Sequence, residues 1–105
     1  MSDIVIERPE AYPGVLVIRM NRPEKKNAIT RAMYAAMTLA LIEANEDDEV
    51  KAAVFFGVPG SFCAGNDLAD FIAIAKDVSL ARDVHGFIHQ LPMFEKPLLS
   101  GVDGL

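Results

Sequence analysis

The residues best suited to chemistry lie in one stretch, Gly60-Ser61-Phe62-Cys63-Ala64-Gly65-Asn66-Asp67-Leu68, between an apolar run that ends at Gly57 and another that begins at Leu68. The order predicts a strand-to-helix loop. Backbone N–H groups at a helix start have no partner within the helix and sit at the positive end of its dipole, so negative oxygen is stabilised there. Gly65 lets another group approach the main chain and Asn66 tolerates a left-handed conformation. Asp67 is a suitable N-cap, with acidic Asp70 at the capping-box spacing. Two phosphate-binding patterns share part of this layout, and neither fits. Gly60 and Gly65 are spaced like P-loop glycines, but Asn66 and Asp67 stand where Lys and Ser or Thr would hold phosphate and magnesium. The Gly-x-Gly-x-x-Gly order of dinucleotide-binding folds is absent.

Other reactive side chains point to less. His85 and His89 share a helix face, but spacing supplies no third metal ligand, so no metal site is expected. Cys63 has no base or basic group near it in sequence and reads as a small packing residue at the loop entrance. Arg22, Lys25 and Lys26 form the only compact basic patch, which suits a phosphorylated small molecule better than a polymer. A net charge of −5 and the lack of longer basic clusters argue against nucleic-acid binding. No apolar run free of charge is long enough for a membrane span, and the first residues do not resemble a signal peptide. One cysteine cannot form an internal disulfide, which agrees with a reducing, cytoplasmic setting for a soluble protein.

Several elements must position this loop. Ile4 to Glu7 and Val15 to Met20 read as an antiparallel hairpin whose loop holds Pro9, Pro13 and Gly14. A helix is predicted from the Thr30 cap to about Asp47. Its polar stripe, Arg31, Thr38 and Asn45, is so narrow that cover on two sides is expected. Glu46 to Glu49 reads as the turn that ends it, although acidic residues oppose the dipole there. Val50 to Gly57 predicts a strand covered on both faces, joined to its predecessor by a right-handed crossover if the two strands are parallel. Helices follow over Leu68 to Lys76 and about Leu80 to Leu91, the second ended by Pro92 and Pro97, and a buried strand is expected at Pro97 to Val102. With 51% hydrophobic residues in 105, the chain has more apolar surface than a small domain usually hides. It reads as the front part of a larger α/β domain.

Three motifs in this order, Asn21-Arg22-Pro23-Glu24-Lys25-Lys26-Asn27-Ala28, then Phe62 to Leu68, then Lys96-Pro97-Leu98-Leu99-Ser100-Gly101-Val102-Asp103-Gly104, resemble the enoyl-CoA hydratase/isomerase (crotonase) superfamily. The resemblance covers essentially the whole chain and implies the crotonase-like ββα spiral fold, with residues 1–105 as the N-terminal part of a single domain. It implies an acyl-CoA thioester enzyme, a hydratase or a Δ3,Δ2-enoyl-CoA isomerase, with the Gly-Asn-Asp form of the loop nearer the isomerases. The Asn66 backbone N–H takes the place of an oxyanion-hole donor. Main-chain groups around Ala64, Gly65, Asn66, Asp67 and Leu68, with Arg22, Lys26 and Ala28, are implied to hold coenzyme A, which arrives as part of the substrate; no cofactor is bound permanently. Asn27 is open between the same segment and a turn before the Thr30 cap. By the same resemblance the second donor and the acid/base carboxylates follow residue 105, so this stretch alone is expected to be inactive. A homotrimer or hexamer is implied for the full-length protein. The alternative reading is a noncatalytic CoA-binding or oligomerising relative, and a nucleotide-binding module is a third.

Overall fold

The computed structural model describes residues 3–102, so Asp103-Gly104 of the last motif lies outside the described residues. Strands β1 (Ile4–Glu7) and β2 (Val15–Met20) pair antiparallel, with Ile4 opposite Met20 and Glu7 opposite Val17. Helix α1 (Arg31–Glu46) crosses to β3 (Ala52–Phe56), which pairs parallel to β2. Helices α2 (Leu68–Lys76) and α3 (Arg82–Met93) then lead to β4 (Leu98–Gly101), parallel to β3. The sheet order is β1-β2-β3-β4. This α/β arrangement puts the β3–α2 loop beyond the C-terminal end of a parallel strand, where open α/β sheets place their sites.

Alternation along the strands makes the core. Leu16, Ile18 and Met20 of β2 and Ala53 and Phe55 of β3 meet Met33, Met37, Leu41 and Ala44 of α1, all of them buried. Val17 is buried as well, on the opposite face of β2. Thr30 caps α1 as its sequence predicts, its hydroxyl accepting from the Met33 N–H at 3.1 Å. The acidic turn after α1 finds its counter-charge far along the chain. Lys96 donates from Nζ to the carbonyls of Ala44 and Asp47 at 2.7 and 2.6 Å, and Arg8 pairs with Asp47 at 2.8 Å. A cation on the last carbonyls suits the dipole and fills bonds the helix end leaves open.

Three expectations are corrected. α1 is covered on one side among the described residues, since Leu39 and Ile42 on its other side are 55% and 38% exposed. The narrow polar stripe therefore reports apolar surface, not burial. β4 is half covered, with Leu99 and Ser100 exposed, because it is the edge of the described sheet. Pro92 lies inside α3, which begins at Arg82 after a 3-10 turn over Val78–Ala81. Proline there gives up the bond its N–H would make to the Ile88 carbonyl, and the helix stops one residue later at Met93.

Candidate active site

The turn after β2 is built around one buried amide. Asn27 is fully buried and left-handed, with φ of 59°. Its Oδ1 accepts from the Arg22 N–H at 2.6 Å, and its Nδ2 donates to the carbonyls of Ser61 and Phe62 at 3.0 and 3.1 Å. One side chain thereby joins the first motif to the second. Lys26 is left-handed too, with φ of 50°, and Lys25 and Lys26 both face solvent.

Arg22 is placed differently. Its guanidinium donates to Asp67 Oδ2 at 2.8 Å and to the Ala28 carbonyl at 2.9 Å, with the two charged side chains only 16% and 15% exposed. The guanidinium is thus occupied by protein groups. Asp67 caps α2, accepting from the Asp70 N–H at 3.0 Å, and that bond followed by the Arg22 pair holds its carboxyl below the usual aspartate range. The capping box closes between helices instead of within one. The Asp70 carboxylate accepts from the Arg31 N–H at the start of α1 at 2.7 Å, and its charge lies 3.5 Å from Arg31 Nε.

Between these anchors the two motifs pair as a short parallel bridge, Ile29 with Asn66. Ile29 N–H donates to the Gly65 carbonyl at 2.7 Å, and Asp67 N–H donates to the Ile29 carbonyl at 2.9 Å. In such a bridge both bonds belong to Ile29, so the N–H of Asn66 points the other way. Among the described residues it has no hydrogen-bond partner. Left-handed φ falls on Gly65, at 98°, and not on Asn66. Glycine there turns the chain at little steric cost and leaves open space around the turn. The Asn66 side chain is held from α1 by the Tyr34 hydroxyl, which donates to Oδ1.

Behind the loop lies an apolar cavity of about 320 Å³, lined by Ile29, Met37, Phe55, Phe62, Cys63 and Phe87 among others. Cys63 packs against the core and accepts weakly from the Gly65 N–H at 3.3 Å, in keeping with its reading as a packing residue. A larger groove of about 580 Å³ beside the β1–β2 loop shares no residue with this site. His85 and His89 face solvent on α3. Of the residues expected to form the site, the structure brings Arg22, Ala28, Gly65, Asn66 and Asp67 together, with Leu68 opening α2. Ala64 and Lys26 lie exposed at its edge. Sequence reasoning missed Tyr34, whose contact depends on the packing of α1, and left the part played by Asn27 undecided. Phe62 and Cys63 of the same loop line the apolar cavity, while Asn66 lines a small cleft of about 20 Å³ with Tyr34 and Asp70; an unpartnered N–H at a capped helix start can hold a carbonyl oxygen.

Comparison with known proteins bears on these features together. Residues 10–105 match the family profile described as Enoyl-CoA hydratase/isomerase. Enoyl-CoA delta isomerase 2 of Rattus norvegicus is 38% identical over 96 residues, which cover 87% of this chain and 24% of the relative. The 1,2-epoxyphenylacetyl-CoA isomerase of Escherichia coli is 30% identical over 111 residues, covering 100% of this chain and 42% of its own. The structure of Pseudomonas aeruginosa OdaA superposes with a TM-score of 0.87 at 37% identity, over 99% of this chain and 40% of that one. The chain thus spans well under half the length of these relatives. Two motifs stitched at Ile29 and Asn66, the parallel strands that carry them and the profile match agree: the chain belongs to the enoyl-CoA hydratase/isomerase family, within the crotonase superfamily.

Proposed function

We propose that the full-length protein is an acyl-CoA thioester enzyme, an enoyl-CoA hydratase or Δ3,Δ2-enoyl-CoA isomerase, in which the Asn66 N–H stabilises an enolate oxygen. The observation that carries this is the outward-facing, unpartnered N–H of Asn66 at the start of α2, fixed on both sides by the bridge to Ile29. Removal of a proton from the α-carbon, or addition of water to the β-carbon of the conjugated alkene, moves negative charge onto the thioester oxygen. A fixed donor stabilises that charge without reorganising. The apolar cavity takes the acyl chain. Lys26, exposed beside the site, pairs with phosphate of coenzyme A, while Arg22 acts on the cofactor indirectly by holding Ala28 and Asp67 in place.

Acid/base chemistry needs a carboxylate free to exchange a proton. Asp67 and Asp70, the carboxylates nearest Asn66 in sequence, are bound to Arg22, Arg31 and helix N–H groups. We therefore assign that role to groups outside the described residues, and residues 1–105 alone are expected to be inactive. The cytoplasm and a homotrimer or hexamer complete the proposal; the single cysteine supports the former and the exposed Leu68, Phe71 and Ile72 of α2 offer surface for the latter. No helix among the described residues is long and apolar enough to cross a membrane. The test is turnover of conjugated and β,γ-unsaturated enoyl-CoA thioesters by the full-length protein. Hydration of the first or isomerisation of the second is expected, and binding of both without turnover of either would overturn the assignment.

A further inference from the structure

We infer that Tyr34 is a positioning residue for the oxyanion donor, keeping the Asn66 side chain away from the space its own N–H must serve. The inference rests on the proposed role of Asn66 and adds a residue to it.

Tyr34 stands in the first full turn of α1, where its N–H bonds to the Thr30 carbonyl at 3.0 Å, so its backbone is fixed by the cap. Its ring is fixed from the core. Phe87 of α3 lies 5.6 Å away, centroid to centroid, and Phe87 in turn meets Phe55 of β3 edge-on at 6.0 Å. This aromatic chain aims one hydroxyl at Asn66 Oδ1. Burial, and then the neighbouring Cys63, raise the phenol above its ordinary value, so it remains a donor through the neutral range.

An asparagine beside a helix start has a competing use for its side-chain oxygen. Asn readily accepts from nearby backbone N–H groups, and while Asp67 takes the Asp70 and Phe71 N–H groups, those of Asn66 itself and Leu68 have no partner among the described residues. A released Asn66 amide would fold toward these donors and occupy the place of the thioester oxygen. The Tyr34 hydroxyl satisfies Oδ1 from the opposite side, from α1, and so removes that competitor. It also ties the exposed Asn66 to a rigid element, which matters because small misplacements of a reacting group cost large factors in rate. Tyr34 needs no contact with substrate to do this.

The test uses the full-length protein with Tyr34→Phe, Asn66→Ala and the double variant. Each is assayed for turnover and for binding of dimethylaminocinnamoyl-CoA, whose absorbance moves to longer wavelength when its thioester carbonyl is polarised. The wild-type protein is expected to shift the probe, and Tyr34→Phe to lose much of that shift. Turnover should fall roughly ten-fold with little change in KM, short of the hundred-fold or more that follows loss of a donor. The double variant should recover the shift and rate of Asn66→Ala, because without the Asn66 side chain there is no competitor for Tyr34 to restrain. A full probe shift with full turnover in Tyr34→Phe overturns the role of Tyr34 and leaves the oxyanion assignment standing. Independent, multiplying effects in the double variant overturn it too. A wild-type protein that binds the probe without any shift refutes the oxyanion assignment itself, and this inference with it. If Tyr34→Phe fails to fold, Asn66→Ala at its exposed position decides alone: with no side-chain oxygen left to compete it should keep most of the shift and rate, and a loss of about a hundred-fold is the refuting result.

Discussion

The two ends of α1 are pinned by charged side chains brought from far along the chain, yet only one end makes a site. At the C-terminal end Lys96 covers two carbonyls and Arg8, which lines the groove beside the β1–β2 loop, pairs with Asp47, so that each of these bonds fills an acceptor. At the N-terminal end Asp70 takes the first N–H of α1 while Asp67, in the same turn of α2, takes Arg22. Two helix starts are thereby brought together around one loop, and among the described residues the Asn66 N–H there has no partner. Closing a helix C-terminus satisfies acceptors and yields stability. Gathering two N-termini concentrates donors, and a surplus donor is what a developing oxyanion requires.

The sharpest way to break this contrast is Asn66→Pro in the full-length protein, which removes the surplus N–H itself. Turnover should fall about a hundred- to a thousand-fold, corresponding to about 2.7–4 kcal/mol of barrier, and circular dichroism would check that the fold survives. Next comes Asn27→Ala, which strands the Arg22 N–H and the carbonyls of Ser61 and Phe62. Urea unfolding should show a loss of about 2–4 kcal/mol, with activity lost as the two motifs part. At the other end of α1, Lys96→Met should cost about 1–2 kcal/mol in the same measurement and leave turnover unchanged.

The smallest effect is electrostatic and falls at acid pH. Asp67 and Asp47 both titrate below the ordinary aspartate value, Asp67 through the Asp70 N–H and then Arg22, Asp47 through the Glu49 N–H and then Arg8. A folded value below the unfolded one gives stability that is fully present above about pH 4 and lost as pH falls through the folded value. Asp67→Asn and Asp47→Asn should each flatten the acid limb of the stability curve. Only Asp67→Asn should also lower turnover at neutral pH; an equal effect from Asp47→Asn would erase the distinction between the two ends.

Local signals carried most of the architecture. Alternation in Val15 to Met20, the Thr30 cap and the Asp67 cap each act within a few residues, and their elements appear where expected. The loop was legible for the same reason, since glycine, a polar residue and a cap in succession specify a helix start. What was not legible depends on distant partners. Lys96 at the end of α1 and Tyr34 on Asn66 are contacts across dozens of residues that no local pattern encodes. Asp70 illustrates the limit well: its spacing from Asp67 suggests a box within one helix, and tertiary packing gave its carboxylate to another. The breadth of apolar surface on α1 misled in the opposite direction, because composition records what a face is made of and not what lies against it.

The bridge between Ile29 and Asn66 also bears on how the molecule moves. Both of its bonds are made by Ile29, one through its N–H and one through its carbonyl, so a single swing of the Ala28 to Thr30 segment breaks or remakes both. Opening is therefore all or none. Amide hydrogens of Ile29 and Asp67 should show the same protection against exchange, while that of Asn66, set between the bonded positions, should be far less protected in the free protein and gain protection when an acyl-CoA ligand binds. The N–H proposed as the oxyanion donor is thus expected to stand open to water in the free protein.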